Sequence, residues 1–172
     1  PRVADLLRGA EARVEAGMPR GPMGKVDVEI APSNSKRMYA LIQTADQGSV
    51  WRSDDAGATW RKVNSTNPRP MYFSQVRIDP TNADVVYMGG VGMQMTIDGG
   101  KTINVLQRGG GGLDMAPGGG HHDIWIDPTN GNRQIVAHDQ GLSITQNRGR
   151  SWFRQRLLNA QMYHVTVDNE IP

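Results

Sequence analysis

With 172 residues the chain can hold one domain with a proper core, and 19 basic against 17 acidic side chains leave a formal charge of +2. That balance, with no basic block and no cysteine, excludes an electrostatic footprint for nucleic acid, a disulfide framework and a thiolate metal site. No apolar run approaches the ~20 residues needed to span a bilayer.

Residues 1–20 differ from the rest. Val3, Leu6, Leu7, Ala10 and Val14 fall at helical spacing among charged residues, and Gly17 and Pro19 stop the pattern. The spacing predicts one amphipathic helix of ~12–15 residues, a length that is marginal alone in water and should pack on something.

From Lys25 the chain reads as all-β, and 21 glycines suit short strands with many turns. The phrases Ile30-Ala31-Pro32-Ser33-Asn34, Ile78-Asp79-Pro80-Thr81-Asn82 and Ile126-Asp127-Pro128-Thr129-Asn130 place their prolines 48 residues apart both times. Each follows a short strand-like run (Val26–Ile30, Gln75–Ile78, Asp123–Ile126) and ends it in a turn. Second strands are predicted at Arg37–Ile42, Val85–Met88 and Gln134–Ala137, and third strands at Ser49–Arg52, Met93–Thr96 and Leu142–Thr145. Fourth strands are predicted at Thr59–Val63, Thr102–Leu106 and Ser151–Leu157. Four short antiparallel strands in a unit of this length describe a β-propeller blade.

The predicted organisation is a helix or insertion over 1–20 and a partial propeller over 21–172. Its blades lie at about 25–66, 73–108 and 121–158, with the start of another at 162–169. Three blades and a stub do not close a ring that normally needs about 4–8. The chain, which starts at Pro1 without a signal peptide, is therefore expected to be part of a larger propeller or to associate with other chains.

Between third and fourth strands a Ser/Thr-x-Asp/Asn-x-Gly-x-Ser/Thr phrase occurs three times: Ser53, Asp55, Gly57, Thr59, Trp60; Thr96, Asp98, Gly100, Thr102; Thr145, Asn147, Gly149, Ser151, Trp152. An Asp or Asn side chain can accept backbone N–H groups further round such a turn, and glycine supplies positive φ. The turns are read as structural, because Asn147 cannot act as an acid or base. The other reading makes Asp54, Asp55 and Asp98 catalytic or calcium-binding carboxylates.

Ser53-Asp54-Asp55-Ala56-Gly57-Ala58-Thr59-Trp60 resembles the Asp-box, or bacterial neuraminidase repeat (BNR). This repeat occurs in sialidases, xyloglucanase-like glycoside hydrolases, sortilin-type Vps10 domains and a photosystem II assembly factor. The longer run is similar to large bacterial sortilin-like or glycosyl-hydrolase-like repeat proteins, on Gly21–Val26, Asn67–Gln75 and His121–Pro128. The resemblance implies a secreted, periplasmic or envelope protein whose propeller is far longer than this chain.

First strands of blades line the channel, which directs attention to His121, His122 and Asp123 as ligand-binding residues, with Arg69 and Tyr72 in the preceding unit. His-His-Asp can bind a metal or carry a proton; alternatively one His bonds Asp123 across the channel and the other is solvated. Arg69 can hold a carboxylate and Tyr72 can stack on a sugar, or both simply pack on the next blade. Asp123 and Asp114 are the catalytic candidates, with Asp27 and Glu29 the other channel-side carboxylates, and no cofactor is expected. The favoured function is a non-catalytic binding or scaffold module for a protein or peptide, with a glycan-cleaving propeller fragment as the alternative. The first-strand arginine cluster that sialidases need is not found.

Overall fold

The computed structural model describes residues 11–46, 48–67, 69–106, 119–154, 161–168 and 170. Twelve strands form three four-stranded antiparallel sheets, each a meander in chain order. The first holds β1 (Val26–Ile30), β2 (Met38–Ile42), β3 (Ser49–Ser53) and β4 (Arg61–Asn64). The second holds β5 (Val76–Ile78), β6 (Val86–Met88), β7 (Gln94–Thr96) and β8 (Asn104–Val105). The third holds β9 (His121–Ile126), β10 (Gln134–His138), β11 (Gly141–Thr145) and β12 (Phe153–Arg154). First strands stand side by side, β1 next to β5 and β5 next to β9, so the sheets are arranged as propeller blades.

The core lies between sheets. Tyr39, Leu41 and Val50 of the first sheet pack on Val76, Ile78, Val86 and Met88 of the second. Val85, Tyr87, Met93 and Met95 then pack on Ile124 and Val136 of the third. Each fully buried aliphatic side chain here stabilises the array by roughly 1.5–3 kcal/mol. The repeat also shows what covers what: Val76 and Ile78 are 0% and 3% exposed, whereas Val28 and Ile30, one repeat earlier, are 45% and 52% exposed. No described sheet stands in front of β1.

Two tyrosines one repeat apart add polar ties across these joints. The Tyr39 hydroxyl donates to the Ala83 carbonyl at 2.9 Å. The Tyr87 hydroxyl accepts the Gln134 side-chain amide, also at 2.9 Å.

The three recurrent turns are built alike. In the first, Ser53 Oγ accepts the Gly57 amide at 2.9 Å while Asp55 Oδ1 accepts the Thr59 amide at 2.8 Å. In the second, Thr96 and Asp98 accept Gly100 and Thr102 amides at 3.0 and 2.9 Å. In the third, Thr145 and Asn147 do the same for Gly149 and Ser151, each at 2.9 Å. The last contact reverses polarity. The Thr59 hydroxyl donates to Asp55 at 2.5 Å, whereas the Asn147 amide donates to the Ser151 hydroxyl at 2.8 Å.

These bonds explain one correction. Outgoing strands begin at Arg61, Asn104 and Phe153 rather than at Thr59, Thr102 and Ser151. The amides of those three residues are held by the turn side chains and are withheld from a ladder. Residues 155–157 of the third predicted strand lie outside the described residues.

At the N-terminal side residues 11–15 are helical, and residues 1–10, with most of the expected apolar stripe, lie outside the description. The helix end docks on the first sheet, where the Trp60 amide donates to the Ala16 carbonyl at 2.6 Å. Gly17 follows at φ +85°, and a Cβ there would lie 2.1 Å from the Trp60 carbonyl oxygen. Residues 163–168, expected within another first strand, make no strand pairing.

Candidate functional site

The start of β9 does not behave as a regular strand. Its register against β10 runs Ala137↔Asp123 and then His138↔His121, which leaves His122 opposite no residue. This bulge separates the three side chains that the sequence suggested as one group. Neither histidine is solvated: His121 and His122 are 0% and 4% exposed. His121 turns towards His138, with ring centroids 6.0 Å apart. His122 instead pairs with Asp139, Nε2 to Oδ1 at 2.7 Å.

Around His122 stands a rim of aromatic and polar side chains. Its ring stacks on Tyr163 at 4.2 Å and meets Tyr72 and Phe73 at 5.7 and 5.4 Å. The Tyr72 and Tyr163 hydroxyls share a hydrogen bond of 2.5 Å. Tyr72 lies at the edge of Phe73, and the Arg69 guanidinium sits 5.2 Å from the Tyr72 ring centre. Gln161 donates to Asp139 at 2.6 Å and completes the group. Arg69 holds a positive φ of 53°, an uncommon conformation for a non-glycine residue. Arg69, Tyr72 and His122 are thus brought together, and Met71 beside them is 73% exposed. Neither Asp139 nor Gln161 is among the ligand-binding residues suggested from the sequence.

Asp123 belongs to a different place, the row of first strands. Arg77 on β5 donates through Nη2 to Asp123 at 2.8 Å and through Nη1 to Asp27 at 3.1 Å. The same carboxylates cap backbone. Asp27 accepts the Val76 amide at 2.9 Å, Glu29 accepts the Ile78 amide at 2.7 Å, and Asp123 accepts the Val165 amide at 3.5 Å. His164 Nδ1 lies 3.7 Å from Asp123 as well. Burial pushes the Glu29 carboxyl up to about 7, against the pull of Arg77 and the Ile78 amide, with Asp27 and Asp123 adding to the rise. Asp114 lies outside the described residues.

His138 is buried and its Nε2 lies 2.9 Å from the Ser143 hydroxyl, while its Nδ1 accepts the Gln140 amide. Nε2 therefore carries the proton of a neutral ring and donates it to Ser143. Desolvation, then His121 and Arg154, hold this imidazole down at about 4. Among the described residues no three His, Asp or Glu side chains converge as metal ligands.

No family model matches the sequence. A xyloglucanase of Hypocrea jecorina (strain QM6a) is 28% identical over 92 residues, a stretch covering 45% of this chain and 11% of that enzyme. Among solved structures the chain resembles the GH74 xyloglucanase of Xanthomonas campestris with a TM-score of 0.59 and 16% identity, over 77% of this chain and 23% of that one. It resembles YCF48 from Cyanidioschyzon merolae with a TM-score of 0.50 and 19% identity, over 76% of this chain and 36% of that one. At such identities the likeness establishes a shared β-propeller fold and nothing further. The chain spans 11% of the curated relative it matches and less than a quarter (23%) of the GH74 structure.

Proposed function

We propose that the chain is a non-catalytic β-propeller module that holds a protein or peptide partner at the rim formed by Arg69, Tyr72, His122 and Tyr163. One observation carries this reading. The first-strand carboxylates Asp27 and Asp123, where a catalytic pair would be sought, are bound to Arg77 and to the backbone amides of Val76 and Val165. A carboxylate committed to such bonds is poorly placed to attack a sugar or to move a proton. The three recurrent turns support placing the chain with Asp-box (BNR) repeat proteins of the sortilin-like kind, in a bacterial envelope or secreted setting. Val28 and Ile30 are where a further blade or another chain is proposed to pack.

The second reading is a glycan-cleaving propeller piece. It is supported by the 28% identity to a xyloglucanase and by a Glu29 carboxyl held at about 7, a fitting range for a general acid. Assay of the chain on xyloglucan oligosaccharides decides between the two. We expect no turnover; turnover that disappears in a folded Asp123→Asn variant would sink the binding reading. Conversely, a peptide-array signal abolished by Tyr72→Ala, with an unchanged circular dichroism spectrum, is the expected mark of the rim.

A further inference from the structure

Glu29, Arg77 and Trp125 hold the same position in the three first strands, each 48 residues from the next, and Pro32, Pro80 and Pro128 repeat in step. Together these six line a cavity of about 240 Å³ that isoleucines of β5 and β9 complete. Its lining residues lie towards the ends of the first strands and in the turns after them, whereas Arg69 and Tyr72 precede β5 and His122 stands at the start of β9. The walls are mostly apolar, with one indole, one carboxyl and one guanidinium. That composition is typical of a pocket that orients a single group, and the volume lies below the ~300 Å³ at which drug-sized sites begin.

The charges are unbalanced. Arg77 divides its two terminal nitrogens between Asp27 and Asp123, which leaves Glu29 as a third carboxyl facing one shared cation. Glu29 accepts only the Ile78 amide among the described residues, through Oε2. Its other oxygen has no donor there. Below about pH 7 a proton relieves the surplus negative charge, since burial raises this carboxyl against the pull of Arg77 and the Ile78 amide, and Asp27 and Asp123 add to the rise. A cation entering the cavity would relieve it equally well and displace that proton.

We propose that the cavity binds one basic side chain of a partner polypeptide, a lysine ammonium or arginine guanidinium, with its charge at Glu29 and its alkyl stem along Trp125 and the prolines. Long basic side chains combine an apolar stem with a charged head, and an indole in the wall favours a desolvated cation. This rests on the binding-module reading but not on the rim. The groups facing Glu29 are Asp27 from its own strand, Arg77 from β5 and Asp123 from β9. The guest itself stays protonated throughout the relevant pH range. Affinity should therefore rise as Glu29 loses its proton, by roughly tenfold from pH 6 to pH 8, and level off above.

The test is an NMR titration of the 172-residue chain with Nα-acetyl-lysine methylamide and Nα-acetyl-arginine methylamide. The reporters are the Trp125 indole N–H, assigned by its loss in Trp125→Phe, and the Ile78 amide. The expected result is a saturable shift with both basic probes, none with Nα-acetyl-norleucine methylamide, and the stated pH dependence. Glu29→Gln should weaken binding about tenfold at pH 8 and flatten its pH profile, since the removed interaction is a charged one. Should that variant fail to fold, Trp125→Ala read at the Ile78 amide takes its place, with the same weakening expected. Equal shifts with norleucine, a flat pH profile in the unaltered chain, or no saturable shift with either basic probe overturns the proposal. Tyr72→Ala should leave all of this unchanged, so a failed rim and a failed cavity give different results.

Discussion

Arg148 reaches across the joint between the second and third sheets to the fully buried carboxylate of Asp79, with Nη2 3.1 Å from Oδ2. The contact is an ion pair rather than an aligned hydrogen bond, and the other oxygen of Asp79 accepts the Thr81 amide and hydroxyl at 2.9 and 2.7 Å. Leaving a buried charge without its partner costs ~3–5 kcal/mol in the deep interior. Arg148 is 38% exposed, so water offsets part of this. Arg148→Ala should lower stability by about 2 kcal/mol, read from the urea midpoint. A midpoint unmoved beyond error would show that the pair does not hold the sheets together.

The first two recurrent turns should confer acid sensitivity and the third should not. Bonds from the Thr59 hydroxyl and amide, then Ser53, hold Asp55 at about 2, and bonds from Thr102 and Thr96 hold Asp98 at about 2. Both lie below the unfolded value of ~3.9, so their stabilisation is complete above that value and is lost as pH falls from about 4 to about 2. Asn147 makes the corresponding turn with an amide, and so Asp55→Asn and Asp98→Asn should fold. Acid titration by circular dichroism should show a shallower loss below pH 4 in the double variant. An unchanged acid limb would count against the assignment.

His138 acts in a separate window. Its folded value of about 4 lies below the unfolded ~6.5, so the neutral ring is the stable form. Stability is complete above about pH 6.5 and declines as pH falls towards 4, where the buried ring must charge. Glu29, raised to about 7, acts in the opposite sense over much of this window, so the readout is the difference between the two proteins. His138→Gln keeps a donor for Ser143 and should gain stability relative to the unaltered chain as pH falls from 6.5 to 4, with no further gain below 4. Thermal melts at half-unit intervals test this, and a difference that does not change with pH assigns the effect elsewhere.

Gly17 should govern the helix without governing the sheets. A Cβ at this position would meet the Trp60 carbonyl oxygen at 2.1 Å, in a backbone conformation with φ +85° that side chains resist. Gly17→Ala should detach residues 11–15 from the first sheet and hasten proteolysis before Gly24, with strand amides still protected from exchange. Unchanged cleavage rates would mean that the helix end is not seated there.

Much of the fold was legible because the repeat is written in short-range chemistry. The proline phrases mark where first strands stop, and Asp79, Asp127 and the asparagines at 34, 82 and 130 close those turns on nearby amides. The site was less legible because its contacts join residues one repeat apart. Asp27 bonds the amide of Val76, 49 positions on, and Arg77 reaches Asp123, 46 positions on. Overlaying the units at 48 residues and looking one or two places to either side would have found both. The bulge at His122 left no such trace, since alternation alone gives His121 and His122 opposite faces without showing which turns to Asp139.

The carboxylate caps also shape how the array would yield to force. The β5 amides of Val76 and Ile78 are finished by Asp27 and Glu29 of the sheet before it, and Val165 is finished by Asp123. Whichever end is pulled, parting the first two sheets must break the same two amide–carboxylate bonds together with the apolar packing behind them. Under force that joint should give way in one step rather than strand by strand.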